Sequence, residues 1–381
     1  MSKSKVFFVD FHCDETTNML IKLRKLIEKA GMGNIDFENK YVAVKIHFGE
    51  YGNLGHIRHQ YSKVVCDYIK EKGGKPFLTD ASTLYIGSRN NAIDHLDCAY
   101  INGYSPLSTG VHTIIADGLR GTDERIIPVD GAKHCPNAKI AAAIAEADIL
   151  ISMTHTKGHM NAGYGGTFKN LGMGCGSRQG KMEMHSSDTP AIMEERCVGC
   201  GQCVKHCAHD GISLSKGKAL INEDNCVGCG YCFCYCPKGA INCKWDEAKP
   251  VMNEKIAEYS KAAIDNKPAF HINFVQQVTE HCDCKPSNDV SMIPDVGVFA
   301  SFDPVALDQA CIDVINSQPI FADSPAGEVA IKQGKVSENG VIKDAGKHDV
   351  FAMVHPDTCW EAGINHAVKL GLGSREYELI K

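Results

Sequence analysis

Two matching runs of cysteine constrain this chain more than any other feature. Cys197, Cys200, Cys203 and Cys207 are spaced C-x2-C-x2-C-x3-C. Cys226, Cys229, Cys232 and Cys236 repeat that spacing, and Pro237 follows. A tight loop with a cysteine at every third position can offer three thiolates to one 4Fe–4S cubane, but it cannot also wrap the far corner. The fourth thiolate of each run therefore serves the other cluster. The spacing predicts two 4Fe–4S clusters. One is held by Cys197, Cys200, Cys203 and Cys236, the other by Cys226, Cys229, Cys232 and Cys207. Two zinc knuckles would want isolated C-x2-C pairs with four ligands per site, which eight cysteines in two matched runs fit poorly. Ala208 stands after Cys207 where such loops usually carry proline, so that loop is less rigid. Cys234 and Cys243 are surplus, and small buried side chains are their plain reading. Cys234, two residues from both Cys232 and Cys236, is also placed as a substitute ligand.

The cysteine runs are those of a bacterial two-cluster ferredoxin, yet 381 residues far exceed such a unit. The expected division is a ferredoxin-like domain at 189–247, set between a first part at 1–188 and a second at 248–381. The two parts together are long enough for a large core. A formal charge of −6 gives no reason to expect nucleic acid or an anionic membrane as partner. Nineteen cysteines without a signal peptide point to a reducing cytoplasm and to thiols used as metal ligands. The apolar run Val6–Val9 is strand-sized, far short of the roughly 20 residues of a membrane span.

Outside the cysteine runs, strands are predicted at 6–10, 41–46, 76–80, 112–116, 125–129, 148–153, 269–275, 296–301 and 349–354. Helices are predicted at 16–30, 59–72, 90–102, 137–146, 251–265, 303–316 and 323–333. Asp303 followed by Pro304 is a strong helix start. Alternation of this kind indicates an α/β fold, a mostly parallel sheet with helices on both faces. The small ferredoxin-like 2×4Fe–4S insert interrupts it. Ligands bind such sheets at the carboxyl ends of strands. Three polar loops fall there, at 47–59, 80–89 and 155–170, and predict one shared cleft.

Candidate catalytic residues in these loops are Lys45, His47, His155 and Lys157. Glu50, His56, Asp80, Arg89 and His159 lie beside them in sequence. Each could position a substrate or move a proton, and each could equally be a satisfied polar residue. Lys157 and Lys169, among glycines, could hold a small anionic substrate. Cys282 and Cys284 follow a predicted strand, where C-x-C spacing puts both thiols on one side. With Cys175 and His185 they would make a third metal or Fe–S centre if the fold brings them together. No G-x-G-x-x-G or P-loop occurs.

The chain resembles the family called domain of unknown function 362. The resemblance rests on VKIHFGEYGN at 44–53, GGKPFLTDASTLYIGSRNNA at 73–92, IADGLRG at 115–121, HTKGHMNAGYGGTFKNLGMGCGSRQGKMEMHS at 155–186, HCDC at 281–284 and GVFASFDPVALDQA at 297–310. It implies one α/β domain interrupted by the cluster-bearing insert. It also implies that the His47, His155–Lys169, Cys175–His185 and Cys282/Cys284 segments are family features. It supplies no reaction. The function expected is a cytoplasmic, ferredoxin-linked oxidoreductase of anaerobic metabolism, passing low-potential electrons from two clusters to the cleft. A redox partner protein would supply those electrons. The competing expectation is an electron carrier or maturation factor that docks on a partner enzyme and has no substrate of its own. The substrate and the oligomeric state are not written in the sequence.

Overall fold

The computed structural model describes residues 3–186, 189–343 and 348–381. Its centre is an eight-stranded sheet. The strands are β1 (Ser4–Asp10), β2 (Tyr41–Lys45), β3 (Lys75–Asp80), β4 (Thr113–Ile115), β5 (Ile149–His155), β6 (Ala269–Val275), β7 (Gly297–Ser301) and β8 (Tyr377–Ile380). Their order is β8-β1-β7-β6-β5-β2-β3-β4. From β6 to β4 all neighbours are parallel. β7 runs antiparallel to both β6 and β1, and β8 adds to β1 in parallel. The fold is α/β with a mostly parallel sheet.

Side chains alternate across the sheet. Val42, Val44, Ile149, Ile151, Phe270 and Ile272 enter one core, with Leu23, Leu26, Val65 and Ile69 from α1 (Met19–Lys29) and α2 (His59–Glu71). Ala43, Leu150 and Phe299 enter the other. There they meet α4 (Thr167–Cys175), α6 (Lys249–Ile264) and α7 (Pro304–Ser317) through Leu171, Ile256 and Leu307. Because both faces are covered, β5 is buried along its whole length, its Ser152 and Thr154 included. The helix starts follow capping chemistry. Asn18 accepts from the N–H groups of Leu20 and Ile21, Asn91 does the same for α3 (Ala92–Ile101), and Asp303 for α7.

Two expectations are corrected, and two elements are added. Residues 137–146 are not one helix: Asn137–Ala141 is a strand and only Ala142–Glu146 is helical. Ala138 and Ile140 are buried on either side of Lys139, a period of two, and the strand forms a hairpin with Glu124–Pro128 away from the main sheet. The strand expected at 349–354 is a helix, Val350–Val354, started by Asp349, whose carboxylate accepts from the N–H groups of Phe351 and Ala352. The helix α8 (Trp360–Lys369) and strand β8 have no counterpart in the sequence reading.

Between Ala191 and Asn242 the chain leaves the main sheet. Its strands pair only with one another, Ala191–Ile192 with Ile241–Asn242 and Ile212–Ser215 with Lys218–Ile221. The two cysteine runs are built alike. Each turns through left-handed glycines, Gly199 and Gly201 in the first and Gly228 and Gly230 in the second. Each then enters a short helix, Gln202–Lys205 or Tyr231–Tyr235. The boundary expected at 188 lies outside the described residues. The described residues contain no helix long and apolar enough to cross a membrane.

Candidate functional site

The carboxyl ends of β2, β3 and β5 carry Lys45, Asp80 and His155, and the loops that follow add charged groups to them. Lys45 Nζ lies 3.0 Å from Asp80 Oδ1 and donates to Asn170 Oδ1 at 2.7 Å. Arg89 lies 3.3 Å from the other Asp80 oxygen and 3.2 Å from Glu50. All four charged groups are buried. Burial pushes the Asp80 carboxyl up, but Lys45 and Arg89 outweigh it and hold it far below the usual range. His95 stands 3.7 Å from Asp80, and neither ring nitrogen has a hydrogen-bond partner. Burial drives it down to about 3, so it is neutral.

A second buried group forms at the end of β5. His155 Nδ1 lies 3.0 Å from the Asp283 carboxylate, and its Nε2 is 2.8 Å from the Gln276 carbonyl. Lys157 Nζ lies 3.2 Å from Asp283 Oδ2 and donates to the His155 carbonyl at 2.8 Å. His155 and Lys157 hold Asp283 well below the usual carboxylate range despite its burial. The hairpin of Lys157–His159 with Gly163–Gly165 packs directly on this loop. Gly158 N–H donates to the Thr279 carbonyl at 2.8 Å. A Cβ at Gly158 would meet the Glu280 carbonyl oxygen at 2.2 Å. Glu50 N–H donates to the Asp283 carbonyl at 2.8 Å, tying the 47–59 loop to the same place.

Cys282 and Cys284 flank Asp283. Donor atoms of His159, Cys282 and Cys284 all lie within 4.8 Å of one another, close enough to hold a metal ion. A hydrogen bond from Cys284 lowers the Cys282 thiol, and Lys157 and Lys169 lower it further. Donating that bond, together with burial, pushes the Cys284 thiol up. Burial lowers Lys169, which makes no hydrogen bond or ion pair with the described residues. Lys169 lines a small, partly open pocket together with Tyr164, Phe168, Asp308, Trp360 and Ile364.

In the cysteine-rich segment, Cys197, Cys200, Cys203 and Cys236 line a single pocket of about 340 Å³. Ala219 N–H donates to Cys197 Sγ at 3.3 Å and Ala240 N–H to Cys236 Sγ at 3.1 Å. In the other half, Gly211 N–H donates to Cys207 Sγ at 3.3 Å. Cys229 sits within electrostatic reach of both Cys226 and Cys207. Many cysteines, and the spacing of the His159–Cys282–Cys284 group, are compatible with a metal cofactor.

One loop, 81–91, touches both regions. Leu84 belongs to the apolar cluster of the cysteine-rich segment, and Ile86 fills the space a side chain at Gly239 would need. Between them Tyr85 turns inward, 3.3 Å from Glu50, and its hydroxyl feels both Cys282 and Cys284. Arg178 fixes this loop by donating to the carbonyls of Thr83 and Asn90.

Of the four residues considered for a third centre, the structure brings Cys282 and Cys284 together and adds His159. Cys175 and His185 lie outside that group. The Cys175 thiol turns back on its own helix, 3.8 Å from the Asn170 carbonyl, and burial raises it to about 11. His185 packs edge-on against Trp245, ring centroids 4.7 Å apart. Lys45, His155 and Lys157 are each engaged in buried pairs. His47 is half-buried and accepts from Gly49 N–H through Nδ1 at 3.1 Å. Cys234 hydrogen-bonds the Arg120 carbonyl at 2.9 Å, and Cys243 is buried. The sequence reading missed Tyr85, Asp283 and Asp308. The Asp308 carboxylate accepts from the first N–H groups of α4, Thr167 and Phe168. Only Asp283, lodged between two cysteines, carried a local signal.

Among solved structures, the chain is similar to the lactate racemase apoprotein of Thermoanaerobacterium thermosaccharolyticum. Identity is 13%, the TM-score 0.41, and coverage 78% of this chain and 56% of that one. It is similar also to a protein from Thermotoga maritima, with 13% identity, a TM-score of 0.35, and coverage of 77% and 57%. The chain thus spans little more than half the length of either. A search of functionally curated proteins finds no match. The family model described as Domain of unknown function (DUF362) matches residues 42–313, well over half of the chain, and the chain belongs to that family.

Proposed function

We propose that this chain is a cytoplasmic iron–sulfur redox protein that passes low-potential electrons from two 4Fe–4S clusters to the cleft at the strand ends. The observation that carries this reading is the pocket lined by Cys197, Cys200, Cys203 and Cys236. Three of these thiols come from one run and the fourth from the other, the exchange a two-cluster arrangement needs. Cys207, Cys226, Cys229 and Cys232 are the matching set. Backbone N–H groups are aimed at the sulfurs of Cys197, Cys236 and Cys207, as they are around cluster-bound cysteines. When bound, such clusters supply one-electron transfer at potentials near about −400 mV.

The chain's own residues do the rest. Cys200 is exposed, so that corner of the segment faces any redox partner protein. The 81–91 loop, pinned by Arg178, packs against both the segment and the cleft and so bridges them. Lys157 is paired with Asp283, and Lys169, without a partner among the described residues, suits a small anionic substrate. A cleft with a thiol pair and a lysine without a partner among the described residues favours an oxidoreductase over a carrier without substrate.

Anaerobic purification followed by iron and sulfide analysis tests this. The reading requires about eight iron per chain, about half of them lost in Cys200→Ala. A colourless protein with zinc or no metal at these cysteines ends it.

A further inference from the structure

We infer that Cys282 and Cys284 form a redox-active dithiol, which reduces a small carboxylate-bearing disulfide and is itself recharged by two single electrons. The dithiol stands on the geometry of the cleft alone; only the recharging step rests on the cluster reading above.

Three observations converge. The two sulfurs are neighbours, within 4.8 Å of each other, on a loop held by Glu50 N–H and by Lys285 N–H, which donates to the Cys282 carbonyl at 3.0 Å. Second, His159 is set to donate rather than to ligate. Its Nδ1 accepts from the N–H groups of Asn161 and Ala162, each at 3.2 Å, so the neutral ring carries its proton on Nε2. Metal-binding histidines have the opposite polarity, donating through the second nitrogen. Two thiols alone are too few for a closed zinc site. Third, Lys169 links the pair to a pocket. It is within electrostatic reach of both thiols and also lines the pocket walled by Tyr164, Phe168, Trp360 and Ile364, where the Asp308 carboxylate is held by the N–H groups of Thr167 and Phe168. An ammonium without a partner among the described residues, beside aromatic walls, suits an organic carboxylate.

The chemistry balances as thiol–disulfide exchange. The Cys282 thiolate attacks one sulfur of R–S–S–R′, forming a mixed disulfide and releasing R′S⁻. Cys284 loses its proton and attacks the Cys282 sulfur, closing the Cys282–Cys284 disulfide and releasing RS⁻. The net change converts dithiol plus R–S–S–R′ into internal disulfide plus RSH and R′SH. Two electrons, one at a time from the iron–sulfur clusters, and two protons from water restore the dithiol.

The test uses the full chain purified without oxygen. It is exposed to dithiodiglycolate, or to the neutral hydroxyethyl disulfide, then unfolded, alkylated and analysed by mass spectrometry. The peptide carrying Cys282 and Cys284 should come out two hydrogen masses lighter and unalkylated. Dithiodiglycolate should produce this roughly tenfold more slowly in Lys169→Met, the loss of one charge contact, and hydroxyethyl disulfide should slow by less, because it loses only the help Lys169 gives the Cys282 thiolate. Two alkylated cysteines after either disulfide would overturn the proposal. So would stoichiometric metal that is lost in Cys282→Ser. An equal dithiodiglycolate rate in Lys169→Met would overturn the assigned substrate class. Reversal by dithiothreitol in protein without iron would uphold the dithiol while the cluster reading fell. Reversal by dithionite only when iron is present would uphold both.

Discussion

Replacing Lys45 with methionine separates a structural role for this lysine from a catalytic one. Lys45 and Arg89 face Asp80 and Glu50 across 3.0–3.3 Å, two positive charges against two negative. His95 beside them is neutral and adds none. Lys45→Met keeps the volume of the side chain but leaves one uncompensated carboxylate in a site closed to solvent. It also strips Asn170 Oδ1 of its donor. Breaking a buried pair in this way costs about 3–5 kcal/mol, against a total of about 5–15 kcal/mol for a folded domain. Urea unfolding followed by circular dichroism, on protein kept free of oxygen, measures it. Adding Asp80→Asn removes the stranded charge, so the double variant should be more stable than the sum of the two single losses implies. The coupling should reach about 1–3 kcal/mol. A loss below about 1 kcal/mol for Lys45→Met, with strict additivity, would refute the pairing and return Lys45 to the pool of groups free for chemistry.

Three more outcomes follow from the same structure. Gly158→Ala puts a Cβ against the Glu280 carbonyl; it should cost about 1–3 kcal/mol and speed iodoacetamide labelling of Cys282 as the loop is pushed away. Asp308→Ala leaves the donors of Thr167, Phe168 and Asn273 without their acceptor; thermal unfolding should register at least about 2 kcal/mol. His95 and His271 are each held near about 3 by burial. The unfolded chain, with histidines near about 6.5, binds more protons below that pH. Stability should therefore be intact above about pH 6.5 and fall on acidification toward about pH 3, by up to about 1.4 kcal/mol per pH unit for each histidine. A flat unfolding midpoint between pH 7 and pH 5 would contradict this.

The sequence made the parallel half of the fold legible because β2, β3, β5 and β6 are strand-length, largely apolar segments that alternate with helices. It hid the other half for physical reasons. β7 enters antiparallel between β1 and β6, and β8 returns from residues 377–380 to pair beside residues 4–7. Neither pairing leaves a local trace. Residues 137–141 read as helix because alanine and lysine favour one, yet a hairpin partner thirteen residues earlier decides the matter. Residues 349–354 read as strand because Val350, Phe351 and Val354 favour strands, yet the Asp349 cap wins, itself held by Trp360 Nε1 at 2.8 Å.

The site divided in the same way. Loops 47–59, 80–89 and 155–170 could be placed at strand ends, and the C-x-C pair stood out by spacing. The partner of that pair could not be read. Cys175 and His185 looked suitable by residue type, but the helix that carries Cys175 turns its thiol back on Asn170. His159 is delivered instead by a two-stranded hairpin whose packing depends on Gly158. That glycine, and the Asp between the two cysteines, were the only local hints.

The most direct measurement is anomalous diffraction at the iron edge, from crystals grown without oxygen. Two compact iron peaks should appear, one among Cys197, Cys200, Cys203 and Cys236 and the other among Cys207, Cys226, Cys229 and Cys232, with none at Cys282 and Cys284. Zinc in place of iron, or each peak ligated by four cysteines from a single run, would contradict the reading of this chain as a two-cluster redox protein.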